Sequence, residues 1–484
     1  MNRAWHRFYP DGVAACGDYP SIPVWGLLER AAIERPDKTA LIVGGAAHSY
    51  SELWRRVEGV AGWLQAKGVG RGERVLLHLP NSLEFVVAYY ASLRAGAIVS
   101  AASPEMGEAA FAAQRDDVNP RLVIGVATEF GEASAPSRPD VPLAVLQYTS
   151  GTTGQSKGAR MSHANLVANA LQNARWFGWT EHEVNLGVLP LFHTWGMCVS
   201  LNSTFAVGGT LVLAPRFDAS ETLALAEEHD ATVLYGSATM FHRLLDEPTR
   251  ALPSLRHVKA GAMLTQGDLK ARWDDRYPHA PLQQGYGLTE ASPESHNNPP
   301  SAFRAGTVGV PLPDTDCRVV DPDDPARVLG PNERGEVCLR GPQVTDGYWN
   351  RPEETAAAFV DGWLRTGDLG AMDADGYLTI LDRRKDLLKF RGYSVVPNVV
   401  EQCLLRHPAV REAAVVGRPD ARDGEIPVAF VVLACAASDE ALIAHCRVSL
   451  ARYEVPREIR RVDAIPKNAV GKPLRRILRL QLEA

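Results

Sequence analysis

RVLLHLPNSLEFVVAYYASLRAGAIVSAA, residues 74–102, decides the fold class. RVLLHLP is a short apolar run of the kind that becomes a buried strand. SLEFVVAYYASLRAG then places Leu83, Val86, Val87, Tyr90 and Leu93 on one helical face and ends at Gly96. AIVSAA follows as the next strand. A later stretch repeats the rhythm as TLVLAP, ETLALAEEHD and TVLYGS, closing at Ser237. Strand, helix and strand in this order predict a layered α/β fold. From residue 306 to 381 the character changes to short strands and turns, as in CRVVDPDDPARVLGPNERGEVCLRG, which predicts a small β-rich unit. Beyond Arg383, VVPNVVEQCLLRH reads as a helix, and AAVVG and PVAFVVLA as strands, of a compact α+β segment. A dense charged cluster follows the strand that ends near residue 382, so the expected domains are 1–382 and 383–484.

The 484 residues suit two or three packed units at roughly 150 residues each. Hydrophobic residues at 45% and charged residues at 22% exclude wholesale disorder and fibrous chains. A formal charge of −6 is mild and of the wrong sign for whole-chain binding to nucleic acid or an anionic membrane. That charge is unevenly placed: residues 383–484 carry 19 Lys and Arg against 12 Asp and Glu, a net of +7, and the remainder carries −13. A basic C-terminal module suits an anionic ligand or partner, and equally a salt-linked domain interface. The seven cysteines are scattered with no C-x-x-C spacing, so neither a disulfide framework nor a zinc site is expected. The first twenty residues lack an apolar signal core, and no apolar run approaches the roughly 20 residues that span a bilayer. The expectation is a reduced, cytoplasmic protein without a transmembrane segment. G-x-S-x-G, H-E-x-x-H and a complete G-x-G-x-x-G are absent, which removes the usual hydrolase, zincin and dinucleotide signatures.

Chemistry concentrates in YTSGTTGQSKG, residues 148–158. After Tyr148 every residue is polar or glycine, between the apolar strand PLAVLQY and a helix opening at Ser162 with Leu166, Val167, Ala170 and Leu171 on one face. Strand, glycine-rich loop and helix gather backbone N–H groups around phosphates. Thr149, Ser150, Thr152 and Thr153 add hydroxyls and Lys157 adds charge, but Gly158 follows that lysine where a Walker A needs Ser or Thr. Alone, such a loop is also an ordinary connector.

This loop resembles the phosphate loop of the adenylate-forming superfamily, which includes acyl-CoA synthetases, peptide-synthetase adenylation domains and beetle luciferases. LPLFHTWG, QGYGLTE, DGWLRTGDLG, LDRRKDLLKFRGYSV and PKNAVGKPLRR match further motifs of that superfamily in its order, from Tyr148 to Arg476. The resemblance implies a large N-terminal adenylation domain, layered α/β with a small β-rich unit, and a small mobile α+β C-terminal domain. It also implies ATP, Mg2+ and CoA as co-substrate. Residues 149–154, including Gly151 and Gly154, would hold phosphates with Lys157. Gln284, Gly285, Tyr286 and Gly287 would receive adenine, with Tyr286 stacked on it. Thr289 would contact the α-phosphate, Glu290 would hold magnesium, and Asp368 with Arg383 would anchor the ribose. His193 would gate the acyl and pantetheine tunnels, Lys472 would be the catalytic lysine and Lys385 the hinge. Lys389, Arg391, Gly392 and Tyr393 would meet CoA, although many relatives carry a glycine in place of Arg391.

These assignments fit the chemistry. Driving a carboxylate onto an α-phosphate brings two anions together, so positive charge and N–H donors are required. Lys472 lies between Gly471 and Pro473, and the residue before proline is held extended, which puts the lysine on a loop ahead of the basic helix. Taken singly, Asp368 in RTGD would be a turn residue, Glu290 a surface carboxylate, His193 a structural histidine and Lys472 part of a solvated basic end. Motif order reverses those readings. No acid occurs from His193 to Asn202, which disfavours an α-amino acid, because a buried ammonium needs a partner. The expected acid pocket is mostly small or apolar: His193, Trp195, Tyr235, Gly236, Ser237, Ala238, Met240, Gly261, Ala262, Met263 and Ser292. YGSATMFHRLL and GYGLTEASP look like bacterial fatty acyl-CoA synthetases, which puts a medium- or long-chain fatty acid first and an aromatic acid second. CoA is the expected acceptor, with an acyl carrier protein as the alternative. The chain before the phosphate loop is shorter than is usual in the family.

Overall fold

The computed structural model describes residues 3–131, 133, 137–148, 156–261, 269–391, 393–420, 422–467 and 471–483. Among them the strands form four sheets, one of nine strands and three of five. In the first five-stranded sheet, Arg74–His78 and Ile98–Ala101 pair in parallel, with Arg74 opposite Ile98. The helix between them is Leu83–Arg94, and Ser82 Oγ caps it by accepting from Phe85 N at 3.1 Å. The helix is buried on every side and not only on the expected face, because other helices pack on the side away from its strands.

In the nine-stranded sheet the strands Leu282–Gly287, His257–Gly261, Val233–Ser237, Val184–Gly187, Thr210–Leu213 and Thr39–Val43 lie side by side in parallel. Thr210–Leu213 and Val233–Ser237 are consecutive in the second strand–helix–strand stretch, yet Val184–Gly187 is inserted between them. Helices packed against these two sheets bury a large apolar core that includes Phe85, Tyr89, Tyr90 and Phe205. Beyond the first sheet edge, Glu294–Asn297 adds antiparallel to Leu282–Gly287.

The β-rich unit is a five-stranded sheet from Asp316–Val320 to Leu378–Arg383. Its last strand ends at Arg383, the 3-10 turn Arg384–Asp386 follows, and a new sheet begins at Leu388–Phe390. That final sheet is dominated by the long hairpin Val410–Asp420 and Gly424–Leu433, with helices Pro397–Leu405, Asp439–Ser449 and Arg475–Glu483 around it. The chain is therefore mixed α/β with a small α+β C-terminal unit. Among the described residues no helix is long and apolar enough to cross a membrane.

One local expectation changes. The glycine-rich loop does not lead straight into a helix. Gly158–Ser162 forms a strand that pairs antiparallel with Leu143–Tyr148, with Gly158 opposite Tyr148, so the loop closes a hairpin. Ala159 and Met161 bury their side chains, and only at Ser162, which caps His163–Trp176, does the chain turn helical.

Candidate active site

A cleft opens where the large sheet, the β-rich sheet and the C-terminal unit meet. Its walls include Gln284, Tyr286, Asp368, Arg383, Lys472 and Arg475. Gly285 and Gly287 line it too, and both must be glycine for a spatial reason. A Cβ on Gly285 would fall 2.2 Å from Asn297 Oδ1, and one on Gly287 would fall 2.0 Å from the Pro293 carbonyl oxygen. The QGYG backbone thus lies hard against the neighbouring strand, leaving the Tyr286 side chain to face the cleft.

Asp368 and Arg383 stand opposite each other in adjacent strands of the β-rich sheet. Arg383 Nε lies 3.0 Å from Asp368 Oδ1, and the Tyr286 phenol donates to Asp368 Oδ2 at 2.6 Å. Asp368 is 4% exposed, so its carboxylate is held in one orientation by two partners. Asp368 holds the Arg383 guanidinium firmly charged, and burial pushes the Tyr286 phenol well above its ordinary range, so it remains a donor. Lys472 enters from the C-terminal unit. Burial first, and then the nearby Arg383 charge, bring its pKa down to about 8, with Asp368 and Asp386 pulling the other way.

Thr289–Ala291 is a 3-10 turn directly after the QGYG strand. The Tyr348 phenol donates to Glu290 Oε1 at 2.8 Å, and Thr345 N donates to the Glu290 carbonyl at 2.8 Å. Lys157 Nζ stands 5.4 Å from the Tyr348 ring centroid. The far end of the phosphate-loop hairpin and the acidic turn are therefore joined through Tyr348. Sequence reading missed both Tyr348 and Thr345. Tyr348 reaches the hairpin by a bridge to Ala159, a pairing across 189 positions that no local pattern announces. Thr149, Ser150, Gly151, Thr152, Thr153 and Gly154 lie outside the described residues, as do Ala262, Met263 and Gly392.

Magnesium that arrives with a nucleotide keeps waters and takes one or two carboxylates besides phosphate oxygens. Glu290, oriented by Tyr348, fits that donor set. Among the described residues no group of three or more His, Cys, Asp or Glu side chains could cage an ion.

On the side expected to take the acid, His193 Nδ1 accepts from Trp195 N at 3.2 Å, and burial lowers its pKa to about 4, so the imidazole is neutral. Trp195 packs on Gly261, where a Cβ would lie 2.6 Å from the indole. Ser237 Oγ caps the next helix by accepting from Met240 N at 3.3 Å. Ser292 is fully buried, and its Oγ has no hydrogen-bond partner among the described residues. A Cβ on Gly471 would sit 3.1 Å from Ser237 Oγ, so the loop carrying Lys472 rests on the rim of the acid side.

Of the expected CoA residues, Lys389, Arg391 and Tyr393 do not line the cleft. Lys389 is exposed, Arg391 is ion-paired with Asp423 at 2.8 Å, and the Tyr393 ring stacks on Tyr453 with centroids 4.8 Å apart. The backbone of Lys385 lies within the Arg384–Asp386 turn between the last two sheets.

The pattern of the family described as AMP-binding enzyme fits residues 28–142 and 128–349, and that of the AMP-binding enzyme C-terminal domain fits residues 399–472. The long-chain-fatty-acid–CoA ligase of Bacillus subtilis (strain 168) is 32% identical, aligned over 98% of this chain and 97% of its own. A feruloyl-CoA synthase of an Amycolatopsis species is 34% identical over 92% of this chain and 96% of its own. ATP-bound MatB from Rhodopseudomonas palustris superposes with a TM-score of 0.87 at 31% identity, covering 95% of this chain and 99% of that one. Apo MatB covers the same shares, at the same identity, with a TM-score of 0.76. The arrangement seen here is thus nearer to the ATP-bound state than to the apo state of that protein.

The chain belongs to the AMP-binding enzyme family. It is an AMP-forming acyl-CoA synthetase that takes ATP with Mg2+, and CoA as co-substrate.

Proposed function

We propose that this cleft activates an apolar carboxylic acid in two steps and transfers it to CoA. In the first, a carboxylate oxygen attacks the α-phosphorus of ATP and the bond to the β-phosphate bridging oxygen breaks, giving acyl-AMP and pyrophosphate. In the second, the CoA sulfur, after losing its proton, attacks the acyl carbonyl and AMP leaves. The observation that carries this reading is the convergence of Lys472 with Asp368, Arg383 and Tyr286 in one cleft, against the rim of the acid side at Ser237.

Asp368 accepts hydrogen bonds from the ribose hydroxyls, backed by Arg383, and Tyr286 lies against the adenine. Residues 149–154 and Lys157 hold the phosphates, Thr289 contacts the α-phosphate, and Glu290 would hold the magnesium that offsets phosphate charge. Lys472 is placed for the moment when carboxylate and phosphate meet, where a cation lowers the barrier most. Residues 1–382 and 383–484 act as two bodies joined near Lys385. The second step follows rotation of the C-terminal unit, which brings Lys389, Arg391, Gly392 and Tyr393 to the thiol's path in place of Lys472.

Free CoA is the preferred acceptor over a carrier protein, supported by the net +7 of residues 383–484. Two acid classes fit the apolar side. A medium- or long-chain fatty acid is supported by likeness to the Bacillus ligase, and an aromatic acid by likeness to feruloyl-CoA synthase and by the cluster of aromatic side chains on that side. Purified enzyme given Mg-ATP, CoA and a panel of acids tests the reaction. AMP and pyrophosphate formed in step with thioester are expected. ADP and phosphate with every productive acid would overturn it.

A further inference from the structure

We propose that the acid is a planar aromatic one carrying a neutral oxygen substituent at its far end, selected by Trp195, Tyr235 and Trp179. This rests on the ligase reading above and names its substrate class. Strands Val233–Ser237 and His257–Gly261 are paired in register, with Ser237 beside Gly261 and Tyr235 beside Lys259. The Ser237 end is the rim touched by the Lys472 loop. Trp195 packs on Gly261 at that end, Tyr235 stands two residues back along the strand from Ser237, and Trp179 lies beside Tyr235 and His257. The Tyr235 and Trp179 rings have centroids 5.7 Å apart, and Phe177 lies 5.9 Å from Tyr235. These rigid faces favour a ring over a coiling alkyl chain, and the Trp195 indole closes over Gly261.

A second observation is independent of shape. Trp195 Nε1, Trp179 Nε1 and the Tyr235 hydroxyl have no hydrogen-bond partner among the described residues, although these residues are only 6%, 6% and 1% exposed. Buried donors are seldom left unpaired, so three in the aromatic cluster beside the expected acid side are available to an acceptor that enters it. An aliphatic tail has none to offer, whereas a ring hydroxyl or ether oxygen does. A second carboxylate is disfavoured. Among the described residues the buried cation there, Lys259, lies 4.4 Å from the Tyr235 ring centroid and is already ion-paired with Glu294, which leaves that floor of the cluster neutral.

The test measures AMP formation by the full chain with Mg-ATP and CoA on cinnamate, 4-hydroxycinnamate, benzoate, 4-hydroxybenzoate, octanoate, palmitate and malonate. The oxygenated aryl acids should exceed their unsubstituted counterparts in kcat/KM by about tenfold or more, and should also exceed palmitate and malonate. Tyr235→Phe should lower the ratio of 4-hydroxycinnamate to cinnamate by about tenfold. Trp195→Ala should shift preference toward octanoate and palmitate. Highest kcat/KM on octanoate, palmitate or malonate would overturn the aryl assignment and leave the ligase reading standing. So would an equal loss on all acids in a Tyr235→Phe protein that melts like the parent. AMP from no acid at all would overturn the ligase reading and this inference with it.

Discussion

In the proposed reaction Lys472 works through its charge, and that charge is conditional on pH. With its pKa brought down to about 8, the ammonium is present below that pH and lost above it. The kcat/KM for ATP in acid-dependent pyrophosphate exchange should therefore fall as pH rises through about 8. In Lys472→Arg the residual activity should show no such fall, because a guanidinium stays charged. Asp368 works through orientation instead. Asp368→Asn weakens the Arg383 pair and the carboxylate's hold on Tyr286, so KM for ATP should rise by about 10- to 100-fold while kcat changes less. Steady-state kinetics in ATP separates the two roles.

Two close contacts hold the site's elements in register. Gly287 permits its strand to approach the Pro293 carbonyl, and Gly287→Ala should cost about 1–3 kcal/mol of stability through overpacking, read as a lowered denaturation midpoint. Tyr348 ties the acidic turn to the phosphate-loop hairpin, so Tyr348→Phe should raise the magnesium concentration needed for half-maximal adenylation and leave the melting temperature nearly unchanged. A magnesium titration with a thermal melt checks it. This scale also shows what could be read in advance. The meeting of Asp368, Arg383, Tyr286 and Lys472 in one cleft could be anticipated because each sits in a short motif, and motif order supplies what single residues lack, while their roles in the reaction are proposals. The strand Gly158–Ser162 was not: five residues with two buried apolar side chains are too few to set a period of two apart from a helix start. Tyr348 was invisible because its role comes from a long-range bridge, and the burial of Leu83–Arg94 on all sides depends on neighbouring helices that its own pattern does not name.

At the scale of the whole molecule the joint between the sheets is a set of directed contacts. Asp382 Oδ2 accepts from Asn398 N at 2.7 Å, and Asp382 Oδ1 lies 3.9 Å from Arg475 Nη1, which is itself held within the C-terminal unit by Glu401 at 2.7 Å. The two Asp382 contacts tie the end of the β-rich sheet to the C-terminal unit in the arrangement that points Lys472 into the cleft. In the proposed mechanism the second half-reaction leaves that arrangement, and we assign the backbone rotation to the short turn Arg384–Asp386. Lys472→Ala should lose adenylation by about two to four orders of magnitude and retain most thioester formation from supplied acyl-AMP. Lys385→Pro, which fixes φ near about −65°, should do the reverse. The direct test is a pre-steady-state measurement of pyrophosphate and thioester in both variants. The account predicts opposite losses, adenylation in Lys472→Ala and thioester formation in Lys385→Pro. Equal loss of both steps in both variants, with each protein folded, would contradict it.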